Sequence, residues 1–468
     1  MSSAAKSATQ RQGVTDIFAS WQSRLRVERV YLVVALVWGL LLVFLVPPLQ
    51  TFDELAHYYR AWSVADGQLV VPPSGHIRLP NGADDFPNRF PYQPIAGGLQ
   101  KVSFSDLWAE LGSPMGSQSV ESSSFAAGYG PIGYLPQAAG IAVVRLTGGS
   151  PLLALYVARL LNLLVAVSLT YFGLRFLPFA KLAVCLAALL PMTMMEMASL
   201  SPDAMLLAGC VFLSGLVTKC TTKDSLSRRN VALLILGSVL LVNAKPGYAI
   251  LSLLLLLLLP RQFKSRLLYI ATVFGSILGS CLVALIFMRL APPGDHDLLV
   301  LMLGPDNHVD AAAQLSRVIS HPIAFAQVIA ATINQLGVTY LRQSVAWYAW
   351  GHLDIGDGVM LIAAVGVAAV LAAGEAVRFA AWRRAVVLAV AFLSAVVVSL
   401  ALYMGWTGVA ASTIGGLQGR YFTPSVILGF IGLAGFPFRK RWVVPIVVAV
   451  VLYLLIMNNL RTLLFFYY

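Results

Sequence analysis

The sequence predicts an all-α polytopic membrane protein with about 11 transmembrane helices and a large, mostly helical extracytoplasmic loop after the first of them. Three observations lead there. Only 11% of the 468 residues are charged and 59% are hydrophobic, whereas a soluble chain carries roughly 25% charged residues. The apolar residues gather in runs that suit a bilayer, which takes about 20 residues of helix to cross. The basic residues segregate by loop, as they do when cytoplasmic loops collect Lys and Arg.

The runs lie at residues 30–49, 152–174, 182–200, 204–217, 231–242, 250–259, 267–290, 359–373, 385–404, 421–436 and 443–457. The first follows a polar, basic tail, residues 1–29. It is too long for a signal-peptide core and lacks a small-residue cleavage site, so it reads as an uncleaved anchor. The fifth and sixth runs are short, and Asn243-Ala244-Lys245-Pro246-Gly247-Tyr248 between them would break a helix. One span over residues 231–260 is the competing reading.

Residues 131–146 are ambiguous, being interrupted by Gly133, Pro136 and Gly140 and ending at Arg145. Loop charge decides. If this stretch does not cross, residues 1–29, 175–181, 219–229, 261–266, 378–384 and 439–441 share one side and hold 20 of the 32 Lys and Arg. Only Asp16, Glu28, Asp224 and Glu375 accompany them there. Residues 131–146 are therefore expected to form a re-entrant or surface-lying helix, covered by protein. The N-terminus is then cytoplasmic and the C-terminus external. A single transmembrane domain spans residues 30–468, with large extracytoplasmic segments at 50–151 and 291–358 and a shorter one at 405–420.

Several functions are disfavoured. The net charge of +12 is spread over short loops, which is a topology signal rather than a nucleic-acid patch. The four cysteines, Cys185, Cys210, Cys220 and Cys281, sit in or beside apolar runs with no CxxC pair or metal spacing, as small packing residues do. There is no Walker loop, no His pair at zinc spacing and no Ser-centred elbow. Any activated group must arrive ready-made.

The first external loop opens with Thr51-Phe52-Asp53-Glu54-Leu55-Ala56-His57-Tyr58-Tyr59-Arg60-Ala61-Trp62. On a helix, Asp53 and His57 share a face, and Glu54, His57 and Tyr58 cluster at three- and four-residue offsets, with Arg60 nearby. Paired carboxylates where the chain leaves the membrane suit a general base. An N-cap role for Asp53 fits equally well. Lys245 reads either as a snorkelling side chain or as a point charge for phosphate. In Gln418-Gly419-Arg420-Tyr421-Phe422-Thr423-Pro424, Arg420 offers a planar fork for phosphate, or simply anchors beside an aromatic ring. Glu196 lies inside the third run; an intramembrane carboxylate is either functional or the partner of a buried arginine such as Arg159. Asp203 either joins the site or caps the fourth span. Trp347-Tyr348-Ala349-Trp350-Gly351-His352-Leu353-Asp354 suits interface anchoring or stacking on a sugar ring.

The order of these pieces resembles the GT-C superfamily of membrane glycosyltransferases, in which an acidic pair follows the first span, as Asp53-Glu54 does here. Phe52-Asp53-Glu54-Leu55-Ala56-His57 is similar to the corresponding stretch of protein O-mannosyltransferases and aminoarabinose transferases, and Lys245-Pro246-Gly247 to their external Lys-Gly turn. More closely, Asp53-Glu54…His57, Pro191…Asp203, Lys245-Pro246-Gly247-Tyr248, Gly351-His352-Leu353-Asp354 and Gln418-Gly419-Arg420-Tyr421-Phe422 resemble the bacterial domain-of-unknown-function 2142 family, over about residues 30–440.

The superfamily resemblance implies transfer of a sugar from a polyprenyl-phosphate donor to a cell-envelope acceptor (a polysaccharide, lipid-linked glycan or protein) on the extracytoplasmic face of a bacterial cytoplasmic membrane. It implies Asp53 or Glu54 as catalytic base and Lys245 and Arg420 as phosphate ligands. Asp203 matches more loosely as a second acid. His57, Arg60, Tyr248, Tyr421, Glu196, His352 and Asp354 complete the candidates. The loop after Arg60 departs from the mannosyltransferase pattern, so the sugar is not specified. A divalent metal stays open, since no ligand set settles it. The competing class is a transporter or flippase of a lipid-linked sugar, which would show matched halves with discontinuous helices in equivalent positions. The two halves here do not match. A scaffold or polymer-length regulator would not need the acidic pair, Lys245 and Arg420 on one face.

Overall fold

In a bilayer core every backbone N–H and C=O must be paired within the chain, and a helix achieves this segment by segment. The computed structural model, which describes residues 26–72, 74–290, 309–353, 356–372, 379–434 and 443–468, is accordingly built from helices. Helix α1 (Val27–Leu45) leads into a folded loop of α2 (Glu54–Ala65), β1 (His76–Pro80), α3 (Asn81–Arg89), α4 (Tyr92–Ala96), α5 (Phe104–Leu111), β2 (Ser119–Ser123) and α6 (Leu135–Leu146). The two strands pair antiparallel, Ile77 opposite Ser122 and Leu79 opposite Val120. The chain continues through α7 (Pro151–Phe176), α8 (Lys181–Ala188), α9 (Pro191–Met197), α10 (Asp203–Cys220) and α11 (Arg228–Ala244). A 3₁₀ segment, Pro246–Leu257, precedes α12 (Arg266–Leu290). Then come α13 (Ala311–Ser320), α14 (Pro322–Val345), α15 (Gly356–Ala372), α16 (Ala381–Gly405), a 3₁₀ turn at Gly419–Phe422, α17 (Thr423–Leu433) and α18 (Val443–Tyr467).

Seven of these helices, α1, α7, α10, α12, α14, α16 and α18, are long and apolar enough to cross a membrane. The chain is an all-α polytopic membrane protein. Its centre is α10, buried nearly throughout and packed against α7, α11 and α17. Helices α7 and α10 meet backbone to backbone. A Cβ at Gly215 would fall 2.2 Å from the carbonyl oxygen of Gly173, the close approach that small residues permit between membrane helices. Helices α1 and α18 point the same way. The Tyr468 hydroxyl reaches the Phe44 carbonyl at 3.5 Å, and the Val102 N–H in the first loop donates to the Tyr467 carbonyl at 2.8 Å.

The structure revises several spans. The third run is not one helix: it breaks at Leu189–Leu190 into α8 and α9, because Pro191 cannot donate a backbone hydrogen bond and so starts a new helix. The fifth and sixth runs are separate, as the proline and glycine require, and the single-span alternative fails: α11 ends at Ala244, Lys245 is extended, and the following turns are 3₁₀. The segment 291–358 is more than a loop, since α14 within it has span length and composition. Its Gln327, Asn334, Gln335 and Thr339 dilute the apolar pattern in sequence. Residues 131–146 form a 3₁₀ turn and the 12-residue α6, about 18 Å of helix at 1.5 Å per residue. That is too short to cross as a helix.

Candidate active site

The site begins where α1 stops at Pro47-Pro48. The chain then turns through Leu49 and Asp53, both in the left-handed region with φ of 64° and 56°, a conformation in which Asp is enriched. Asp53 occupies the N-cap position of α2, yet its side chain makes no capping hydrogen bond. It meets the guanidinium of Arg420 instead. The capping alternative for Asp53 therefore gives way to an ion pair.

Glu54 points the other way. Its side chain is 0% exposed and held bidentate by Arg159 of α7, Nε to Oε1 at 2.7 Å and Nη2 to Oε2 at 2.5 Å. The remaining Arg159 N–H groups donate to the carbonyls of Val43, Val46 and Pro47 at 3.0, 2.7 and 3.0 Å, closing the open carbonyl end of α1. Arg159 thus pairs with Glu54 and not with Glu196.

The break between α8 and α9 delivers the next group. Beyond α9 the backbone is unwound, and its carbonyls are satisfied from neighbouring helices. Asn162 donates to Ser199 and Ser201 at 2.8 and 3.2 Å, and Gln137 to Leu200 at 3.2 Å. Such non-helical backbone is tolerated at membrane depth where protein buries it. Glu196, in the last turn of α9, receives Arg420 Nη1 at 2.6 Å. Asp203, the first residue of α10, makes no cap; its Oδ1 pairs with Lys245 Nζ at 2.6 Å and its Oδ2 lies 3.8 Å from Arg420.

Arg420 is the hub of this cluster. Besides Asp53 and Glu196 it donates from Nε to Gln418 Oε1 at 2.7 Å, and its guanidinium lies 5.4 Å from the Phe52 ring and 5.1 Å from the Tyr421 ring. Phe52 in turn stacks on Trp347 at 4.4 Å. Gly419 makes the placement feasible: a Cβ there would sit 1.9 Å from the Tyr340 carbonyl oxygen, and its N–H donates to Gln343 Oε1 at 2.7 Å. Lys245, freed from helix by Pro246, lies over Tyr421 and Tyr129 at 4.7 and 5.8 Å. Tyr248 donates to the Tyr421 carbonyl at 2.7 Å.

Beside the cluster opens a cavity of about 250 Å³. Asp53, Lys245, Tyr129, Tyr248, Gln418 and Tyr421 form its polar and aromatic end; Val398, Ala401 and Leu402 of α16, with Trp406, form its apolar side. Among its lining residues Asp53 is the one carboxylate and Lys245 the one cation. Glu54, Glu196 and Asp203 lie behind that surface.

The other candidates divide. His57 is buried with a ring nitrogen 2.8 Å from the Tyr134 hydroxyl, and burial pushes its imidazole down to about 3, outweighing the pull of Asp53. Arg60 is buried in the loop, bonded to the carbonyls of Tyr129, Gln68 and Leu69 and to Ser63. His352 is exposed and does not line the cavity. Asp354 lies outside the described residues. In the aromatic patch, Trp347 packs on Phe52 and buried Tyr348 accepts from Asn459 at 2.6 Å, so these two serve the interior rather than the interface or a sugar. Sequence reasoning did not single out Tyr129 or Trp406, which no helical periodicity connects to the cluster. Among the described residues no group of three or more His, Cys, Asp or Glu is arranged to hold a metal ion.

Together these features define a class: a polytopic helical membrane protein whose buried ion-paired cluster opens on a cavity with one polar and one apolar end. More specifically, the chain belongs to the DUF2142 family of predicted membrane proteins, whose model matches residues 36–429. No curated protein and no solved structure matches it.

Proposed function

We propose that this protein is a GT-C-type glycosyltransferase that moves a sugar from a polyprenyl-phosphate donor to a cell-envelope acceptor on the extracytoplasmic face of a bacterial membrane. The observation that carries the reading is the meeting of Asp53 and Lys245, from segments far apart in sequence, at the polar end of a cavity whose other side is apolar, with Arg420 paired to Asp53 directly behind it. An amphiphile with a phosphate head and an isoprenoid chain fits that division.

In this reading Asp53, facing the cavity, takes the proton of an acceptor hydroxyl. The acceptor oxygen then bonds to the anomeric carbon as the bond from that carbon to the phosphate oxygen breaks. The leaving polyprenyl phosphate gains negative charge where Lys245 and Arg420 stand, so the cations act where charge develops. The proton removes one negative charge from Asp53 as the phosphate gains one, and the total charge of the site is unchanged through the step. Without a ligand, Asp53 occupies Arg420; incoming phosphate oxygens compete with it there and release the base. Glu54 is assigned to structure, because both its oxygens are committed to Arg159. The test is single substitution of Asp53, Lys245 and Arg420, with envelope glycans read by mass spectrometry. Loss of one glycan in all three variants at normal protein level is expected; wild-type glycans in all three reject the reading.

A further inference from the structure

The first loop contains a helix, α5, that turns a carboxylate inward and several large apolar side chains outward. In α5 the carboxylate of Glu110 is turned inward at 5% exposure, where it pairs with Arg89 and accepts from Ser113 at 2.9 Å. Phe104, Trp108 and Leu111 face outward, Phe104 at 67% and Trp108 at 78% exposure. Their spacing of four and three residues places them on one side of the helix. Leu99, just before the helix, is 88% exposed. Leu107 is buried and Ser105 and Asp106 are exposed, as on a helix in water, but a contiguous exposed apolar patch marks an interaction surface.

Its position indicates what covers it. The Phe104 ring stacks on Tyr468 at 4.9 Å, and Lys101 bonds the Phe465 carbonyl at 2.8 Å. The same end of α18 contacts α1 through the Phe44 carbonyl, and the Phe44 ring meets Tyr156 in the first turns of α7. Helix α5 therefore lies level with the ends of three helices long enough to cross the membrane. Its outward patch continues into the exposed Leu464 and Phe465 of α18. Trp108 and Phe104 are the residue types that settle at the boundary between headgroups and hydrocarbon.

We infer that α5 is an interfacial helix, its Phe104–Trp108–Leu111 face inserted into the lipid surface beside α18. The inference does not depend on the transferase reading. A nitroxide attached at Trp108→Cys, in a Cys281→Ser background, tests it in phosphatidylcholine–phosphatidylglycerol vesicles. The control is Ser117→Cys, at an exposed position in the same loop. At 108, collision with oxygen should exceed collision with a water-soluble nickel chelate, and the order should reverse at 117. Nickel access at 108 equal to that at 117 would overturn the proposal. So would exclusion of both reagents at 108 with spin–spin broadening, which would mean that a second copy covers the face. If Trp108→Cys does not fold, a label at Leu99→Cys takes the same readings.

Discussion

Asp53 and Glu54 are neighbours in sequence with opposite fates. A left-handed turn at Asp53 sends one carboxylate to the cavity and the other into a buried pair with Arg159. Glu54→Gln leaves Arg159 without a counter-charge, which costs about 3–5 kcal/mol for a buried pair broken from one side. It should lower the thermal midpoint of the detergent-purified protein markedly. Asp53→Asn should leave that midpoint near wild type and reduce transfer by ~10²-fold or more, the range of a lost general base. The acidic pair was visible in sequence; which member faces the site was not, because the partner Arg159 lies 105 residues away. His57 adds a pH dependence. Its folded value of about 3 lies below the usual 6.5, so between these the unfolded chain binds the extra proton and stability falls as pH falls through that window. His57→Gln should flatten the acid side of a stability-versus-pH curve; an unchanged slope would assign it to other groups.

Breaks in helices, rather than helices, build the site. Pro191 starts the short helix that ends at Glu196, the Lys245-Pro246 junction leaves Lys245 extended, and the Gly419 turn places Arg420 just before α17. The break at Lys245-Pro246 was legible, since proline acts locally, whereas in sequence the third run reads as one span across Pro191. The support behind the breaks was not legible. Helix α14 sits in a stretch too polar to stand out, yet Gln343 and Thr332 hold the segment that carries Arg420, through the N–H groups of Gly419 and Ile414. Gly419→Ala must displace either Arg420 or the Tyr340 carbonyl. A misplacement near 1 Å costs about 10²-fold in rate, so this variant should transfer poorly and, because the clash is with backbone, melt below wild type. Full activity in a purified-enzyme assay would show that the turn tolerates the shift.

Across the whole chain, the membrane character followed from composition and run length, because the bilayer constrains every segment alike. Loop charge kept residues 131–146 from being counted as a span, in keeping with the short α6. What could not be read was convergence: residues 53, 196, 203, 245 and 420 carry no mark of their mutual distances. The account rests on Asp53, Lys245 and Arg420 acting as one phosphate-and-base unit. Binding of a short-chain prenyl phosphate to the protein in lipid nanodiscs, compared among wild type, Lys245→Met and Asp53→Asn, measures this directly. Lys245→Met should bind more weakly than wild type. Asp53→Asn, having lost the carboxylate that competes for Arg420, should bind more tightly although it transfers poorly. Equal affinity in all three proteins, or no binding by any, would contradict the account.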